Sequence, residues 1–301
     1  MSLKLSSKGI QMPLVDDADL LRSAHFSVRE RHPVTRRLKF NNFPINDFRF
    51  ARFDETYEIA RTFNNYIGRK NRIGWVWLAT TERSVEFESA LERTVLLELD
   101  QDPNVTGIWT QPFRLEGVDK KRQTKQGKAL VVRTFPDFLV RLADESVVVV
   151  QVKPRRKLSE PEHPETTDAE SLKDYGRKHR AWVKMLGNFD WEKRTLAKIG
   201  WRHQVMSEPH PQVAANLRYM QVYRRSLSTD DPVSEKVLEL ADMRQELSFG
   251  ELAEYAGGHN IAAPVILHHV WHNRLLIDWT QTLSKHTSVQ SANYAAAAVA
   301  A

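Results

Sequence analysis

Four consecutive valines, Val147 to Val150, are β-branched and bounded by polar residues, and they predict a short buried strand. Strand alternation carried through Gln151, Val152 and Lys153 puts Gln151 and Lys153 on one face and Val152 on the other. Upstream, Phe138-Leu139-Val140-Arg141-Leu142 predicts a partner strand that turns through Ala143-Asp144-Glu145-Ser146, so the Asp137 end folds back toward the Lys153 end. A two-residue turn at Asp144-Glu145 sets Asp137 opposite Val152, and one residue more sets it opposite Lys153. The pattern leaves that register open, and a slip of one residue sends side chains to opposite faces.

Apolar positions four apart, Phe87, Leu91, Val95 and Leu99, predict an amphipathic helix over Ser84 to Leu99 with Ser84 as N-cap, stopped by Asp102-Pro103-Asn104. Glu88 and Glu92, also four apart, lie beside that stripe, and at least one of them is expected to press against the neighbouring sheet. Ser159 to Glu165 is a polar, proline-bearing loop, Ser171 to Leu186 and Glu192 to Ile199 read as helices, and Trp201 to Val205 reads as a strand. That last helix and strand are expected to complete the sheet. Nearer the N-terminus, Asp54 to Tyr66 reads as a helix, Arg69 to Arg72 as a basic turn and Trp75 to Leu78 as a strand beside the site.

Ser226 to Pro232 is the best linker candidate. Beyond it come three helices, Ser234 to Gln245, Ser248 to Ala256 and Pro264 to Asn273, with Gly257-Gly258 separating the last two and Leu275 to Asp278 as a short strand. That order suggests a winged helix presenting Pro264 to Arg274 to DNA or to a protein partner. His268 and His272 are spaced to bind zinc from one helix face, but no third ligand is near, and a polar surface or phosphate contact fits better. Trp271 and Trp279 are expected to pack the small core. Ala295 to Ala301 reads as a frayed tail.

Composition narrows the function classes. The net charge is +6, and basic residues gather at Arg29 to Lys39, in a loop at Lys120-Lys121-Arg122 with Lys125 and Lys128, and at Lys153 to Lys157. Together these favour a polyanion partner. With no cysteine, disulfide frameworks and thiolate zinc sites are excluded. No apolar run approaches a membrane span and no signal-peptide core follows Met1, so the cytoplasm is the expected compartment.

An acid at a strand end, with a lysine two residues past a polar position on the paired strand, suits phosphodiester hydrolysis. The carboxylate holds a hard cation, the cation polarises phosphate and acidifies water, and the lysine orients that water or stabilises developing charge. A surface hairpin with a charge at each end has the same pattern. A third, partly buried acid at Glu92 or Glu88 favours the chemical reading, because such an acid wants a cation or a donor.

The order Glu88-Ser89-Ala90-Leu91-Glu92-Arg93, Asp102-Pro103-Asn104-Val105, Gln111-Pro112-Phe113, Pro136-Asp137-Phe138 and Gln151-Val152-Lys153 resembles the TnsA endonuclease subunit of heteromeric cut-and-paste transposases. The likeness covers about residues 84 to 157. It implies an α/β fold with a restriction endonuclease-like mixed sheet flanked by helices, followed by a small winged-helix-like domain. The implied division is a basic extension over 1–80, a catalytic domain over 81–226, a winged-helix-like domain over 227–291 and a tail over 292–301. The family's helix glutamate falls on Glu92, with Glu88 as the alternative, its aspartate on Asp137, its glutamine on Gln151 and its lysine on Lys153. Glu92, Asp137 and the Val152 carbonyl are the implied ligands of Mg²⁺, for which Mn²⁺ can substitute. Lys120, Lys121, Arg122, Arg155, Arg156 and Lys157 are the expected DNA contacts.

Double-stranded DNA, a recombinase subunit and an ATPase regulator are the implied partners. Substituting Asp137→Ala is expected to abolish cutting and leave the fold intact. Two alternatives stand beside this reading. One is the same nuclease core in restriction, repair or phage DNA processing. The other is a nuclease-inactive DNA-binding adaptor, signalled by an amide at Gln151 where the wider nuclease class carries an acid.

Overall fold

The valine run is the inner strand of a four-stranded sheet, buried on both faces as its composition requires. The computed structural model describes residues 23–31, 38–45, 60, 73–124, 126–166, 168–225, 231–244 and 247–295. The helix expected over Asp54 to Tyr66, the basic turn Arg69 to Arg72, most of the Arg29 to Lys39 cluster, Lys125, linker residues 226–230 and the tail beyond Ala295 lie outside the described residues.

The first strands are β1 (His25–Arg31), β2 (Leu38–Pro44), β3 (Gly74–Leu78) and β4 (Arg83–Phe87). Helix α1 (Ala90–Gln101) follows, then β5 (Val105–Thr110), β6 (Arg114–Gln123), β7 (Ala129–Thr134), β8 (Phe138–Leu142) and β9 (Val147–Val152). A short helix α2 (Arg155–Leu158) and a long helix α3 (Ala169–Ala197) lead to β10 (Arg202–Met206) and α4 (Pro211–Met220). One sheet has the order β2-β1-β6-β7, and a second has the order β10-β9-β8-β5, with β10 parallel to β9 and the other pairs antiparallel. The strand and helix expected to complete the sheet do so, as a β9-α3-β10 crossover.

Alternation along β9 divides two apolar cores. Val147 and Val149 join Phe26, Trp109, Phe113, Leu139 and Trp191 in one cluster between the sheets. Val148, Val150 and Val152 join the other, which runs without a break through α1 and the β3-β4 hairpin into the C-terminal helices. Gln151 and Lys153 therefore lie on the α3 side of the sheet.

The structure corrects several expectations. Arg83–Phe87 is a strand paired with β3, so Phe87 and Glu88 are outside the helix, whose N-cap is Ser89 and not Ser84. Val85 and Phe87 are buried while Ser84 and Glu86 are not, a period of two that the four-residue spacing of Phe87, Leu91, Val95 and Leu99 masks. Lys120 to Arg122 form the end of β6 and not a loop. Ser171 to Leu186 and the stretch from Glu192 belong to one 29-residue helix, which ends at Ala197 and not Ile199. Gly187, between the two expected segments, is where the Arg122 guanidinium packs against the helix.

The β8-β9 register also differs. Leu142 N–H donates to Ser146 O at 2.9 Å, so Ala143-Asp144-Glu145 is a three-residue turn with Glu145 at φ 61°. Phe138 pairs with Val150, which carries Asp137 opposite Gln151, one step the other way from the expected Val152 or Lys153.

In the C-terminal unit α5 (Pro232–Met243), α6 (Phe249–Tyr255) and α7 (His259–Trp271) surround a three-stranded antiparallel sheet of β11 (Leu247–Ser248), β13 (Ser288–Ser291) and β12 (Leu275–Leu276). Gly257 and Gly258, at φ 130° and 100°, do separate α6 from α7, but α7 begins at His259. The segment expected to face DNA or a partner is mostly interior: Val265 to Trp271 are all buried. The histidines on it are not surface groups. His268 Nδ1 is 2.8 Å from Tyr223 O, His272 Nε2 is 3.0 Å from Arg224 O, and His269 Nε2 is 2.8 Å from the Ser234 hydroxyl. His268 and His272 fasten the unit to the segment that leaves α4, and His269 ties α7 to α5 within the unit. Trp271 and Trp279 are core residues, as expected. Among the described residues no helix is long and apolar enough to cross a membrane.

Candidate active site

Asp137 sits just before β8, where the sheet ends and the chain can leave its side chain partly open to solvent, 16% exposed. Its N–H donates to Val150 O at 3.0 Å, which continues the ladder by one residue. Its Oδ2 accepts the Val152 N–H at 2.6 Å and lies 3.2 Å from Lys153 Nζ. Lys153 Nζ also donates to Val152 O at 2.9 Å and to Gln151 Oε1 at 3.3 Å, confirming that Gln151 and Lys153 share a face.

Behind Gln151 lies an acid that the sequence reading passed over. Gln151 Nε2 donates to both carboxylate oxygens of Glu192, at 3.1 and 3.2 Å. Glu192 comes from α3 and is fully buried. Because a carboxylate only accepts and an ammonium only donates, Glu192 and Lys153 together fix which end of the Gln151 amide faces the lysine. His203 of β10 brings Nε2 to 2.8 Å from Glu192, a contact not aligned as a hydrogen bond, and forms an ion pair when its ring is protonated. The sequence signal for Glu192 was its place beside Trp191, in a row of apolar positions that includes Leu196. A separate helix that starts at Glu192, as the sequence suggests, leaves Trp191 out of that row.

The other two acids approach from the opposite side. Glu92 occupies the third position of α1, where its N–H donates to the Ser89 hydroxyl at 3.1 Å and its Oε2 accepts the Glu88 N–H at 2.8 Å. This resembles a capping box, a structural role that accounts for part of its placement. Burial nonetheless pushes its carboxyl up to about 7 against the pull of the Glu88 N–H, and the Asp137 charge pushes the same way. Asp137 is also raised, first by burial and further by the Glu192 charge, while Lys153 and the Val152 N–H hold it down. Glu88 is buried and instead accepts a 2.5 Å bond from Gln111 Nε2. Gln111, at φ 44°, donates its own N–H to Asp137 O at 2.8 Å, so the Gln-Pro-Phe string ties Glu88 to the Asp137 backbone.

Two of the expected DNA-contact groups are on the surface. Lys120 and Lys121 are exposed at the end of β6, and Arg155, Arg156 and Lys157 are exposed on α2, directly after Lys153. Arg122 is engaged inside the protein: Nε donates to Asp119 Oδ2 at 2.6 Å and Nη1 to Asn188 Oδ1 at 3.0 Å. Arg155 is partly engaged as well, its N–H donating to Glu208 at 2.7 Å.

The structure thus brings Asp137, Gln151 and Lys153 together around the lysine ammonium, sets Glu92 where the Asp137 charge raises it, and adds Glu192 and His203 behind them. Among the described residues no three His, Asp or Glu side chains converge as a metal-ligand group. The chain matches no curated protein. Residues 102–208 match the family described as the TnsA-like endonuclease N-terminal domain, a span that contains Asp137, Gln151, Lys153, Glu192 and His203 and begins after Glu92. Over that span, about a third of the chain, the protein is thus similar to a TnsA-like endonuclease domain, and the span includes the sheet whose inner strand ends just before Lys153.

Proposed function

We propose that this chain is the DNA endonuclease subunit of a heteromeric transposase, which hydrolyses one strand at each transposon end with a divalent cation, Mg²⁺ or Mn²⁺. The observation that carries this reading is the ion pair of Asp137 with Lys153 at the end of β9, with a second desolvated carboxylate, Glu92, near enough to be raised by the Asp137 charge. Both acids hold their protons above the usual carboxylate range, and a hard cation is the partner that would let both ionise. The donor set fits such an ion as two carboxylates with the Val152 carbonyl, the remaining positions going to water and phosphate oxygen. When bound, the cation supplies Lewis-acid polarisation of the phosphate and a more acidic water.

The side chains divide the remaining work. Lys153 Nζ, anchored between Asp137 and Gln151, orients the attacking water or meets charge developing on phosphate. Gln151, its amide held by Glu192, presents Oε1 where the wider nuclease class presents an acid. In this reading residues 81–226 are the catalytic domain, residues 227–291 a winged-helix-like domain and residues 1–80 a basic extension. A recombinase subunit and an ATPase regulator are the partners.

The neutral Gln151 favours one rival, a nuclease-inactive adaptor, and metal binding separates the two. The direct test is strand cleavage on end-labelled duplex carrying a transposon end, with the recombinase and ATPase subunits present. Wild type is expected to nick one strand, and Asp137→Asn and Lys153→Gln to leave it whole. Cleavage undiminished in Asp137→Asn overturns the assignment.

A further inference from the structure

Helix α3 is much longer than the sheet it packs on. The row Lys173, Arg177, Arg180, Lys184, Gly187, Trp191 and Thr195 repeats at three- and four-residue steps and so lies along one helix face. At its C-terminal end that face is interior, with Trp191 and Thr195 fully buried and Gly187 against Arg122. Toward the N-terminus the same face continues as four exposed cations. Lys184 lies about 12 Å and Lys173 about 28 Å along the axis from Glu192, at a rise of about 1.5 Å per residue. In a strand-helix-strand crossover the helix starts at the end where the first strand finishes, so this overhang is on the Lys153 side of the sheet.

The opposite face of the overhang is already covered. Tyr175, His179 and Trp182 form a ladder of rings with His163, the Trp182 indole donates to Leu158 O at 3.0 Å, and Glu160 pairs with His179 at 3.3 Å. These contacts brace the arm and place Glu160 on the face away from the cations. They also set α2, with Arg155 to Lys157, beside the Trp182 turn, while Arg122 links the Lys120-Lys121 strand end to Lys184 and Asn188. Within the cationic row, only Arg177 has an ion pair among the described residues, with Asp174.

We propose that the overhanging face of α3, Lys173, Arg177, Arg180 and Lys184, is a phosphate-contact track that holds the duplex flanking the scissile bond and continues from the Lys120-Lys121 strand end. The proposal rests on the nuclease reading for the site the track serves. The match to duplex phosphate is one of charge, rigidity and length, since the row spans about 16 Å, enough for several phosphates along one strand.

The test is fluorescence anisotropy of a 30-base-pair duplex against the full chain, over a series of NaCl concentrations. The variant Lys173→Gln/Arg177→Gln/Arg180→Gln/Lys184→Gln is compared with Lys193→Gln/Arg218→Gln/Lys236→Gln/Lys285→Gln, which removes the same charge at exposed positions elsewhere. Circular dichroism confirms that both are folded. The track variant is expected to lose roughly a hundredfold in affinity at moderate salt, with the slope of log K against log salt reduced by about 3 to 4, whereas the control changes the slope by less than about 1. Equal slopes for the track variant and wild type, equal losses in both variants, or no duplex binding by wild type overturns the proposal. Duplex binding that depends on the track, in a protein that takes up no Mn²⁺, would sink the nuclease reading and leave the track standing.

Discussion

The carboxylate of Asp137 caps the backbone of Val152: Oδ2 accepts that N–H at 2.6 Å and is the same oxygen that faces Lys153. The residue assigned to the cation is therefore also part of the hairpin's hydrogen bonding. Asp137→Ala leaves the Val152 N–H without its acceptor and is expected to lose about 1–3 kcal/mol of stability, contrary to the expectation of an undisturbed fold. Asp137→Asn keeps an acceptor and is expected to lose less than about 1 kcal/mol. Urea unfolding of the two variants beside wild type checks this, and equal stability of the alanine variant and wild type would refute it.

Glu192 accepts from Gln151 and faces His203 in the interior. Removing it strands two buried polar side chains. Glu192→Ala is expected to destabilise by about 3 kcal/mol, whereas Glu192→Gln, which still offers an oxygen to Gln151, is expected to cost about 1 kcal/mol. A urea midpoint for the alanine variant within error of wild type contradicts the assignment of Glu192 as the anchor of Gln151.

Acid acts on the C-terminal unit first. Burial lowers His268, His269 and His272, His269 to about 4. With folded values below the unfolded value near 6.5, the unfolded chain binds more protons between those limits, so stability is full above about pH 6.5 and falls as pH drops toward 4. For His269 alone the loss is up to about 3 kcal/mol. Hydrogen exchange across His259–Trp271 is expected to accelerate over that window before the β8-β9 hairpin responds. Uniform protection down to pH 4.5 contradicts it.

Glu98 has the opposite sign. Burial, and then the Asp102 charge, raise it to about 7, so the folded state holds a proton that the unfolded state has released, and stability falls as pH rises from about 4.5 through 7. Glu98→Gln is expected to stabilise the protein at pH 8 by about 1–2 kcal/mol, a value discounted for partial exposure, and to have little effect at pH 4. Thermal melts at the two pH values read the difference directly.

Local pattern exposed the centre of the site but not its flanks. The valine run and the alternation after it placed Gln151 and Lys153 on a shared face, because burial on both sides of a strand leaves a period of two as the only freedom. The hairpin register escaped, since Glu145 adopts a left-handed conformation that an alanine-aspartate-glutamate-serine turn does not advertise. Glu88 was misplaced on a helix because Phe87 satisfies both the strand period and the helix period. Glu192 depends on a long-range packing event, the landing of α3 on the sheet, which no local window contains. The burial of His268 and His269 is of the same kind: α7 is apolar nearly all round, and only its neighbours decide that those two polar rings point inward.

The central claim is that Asp137 and Glu92 hold a divalent cation beside Lys153. Calorimetric titration of Mn²⁺ into wild type and folded Asp137→Asn, each with and without duplex DNA, tests it most directly. One site per chain is expected in wild type and none in Asp137→Asn. Equal binding by both proteins, or no binding by wild type even with duplex present, contradicts it.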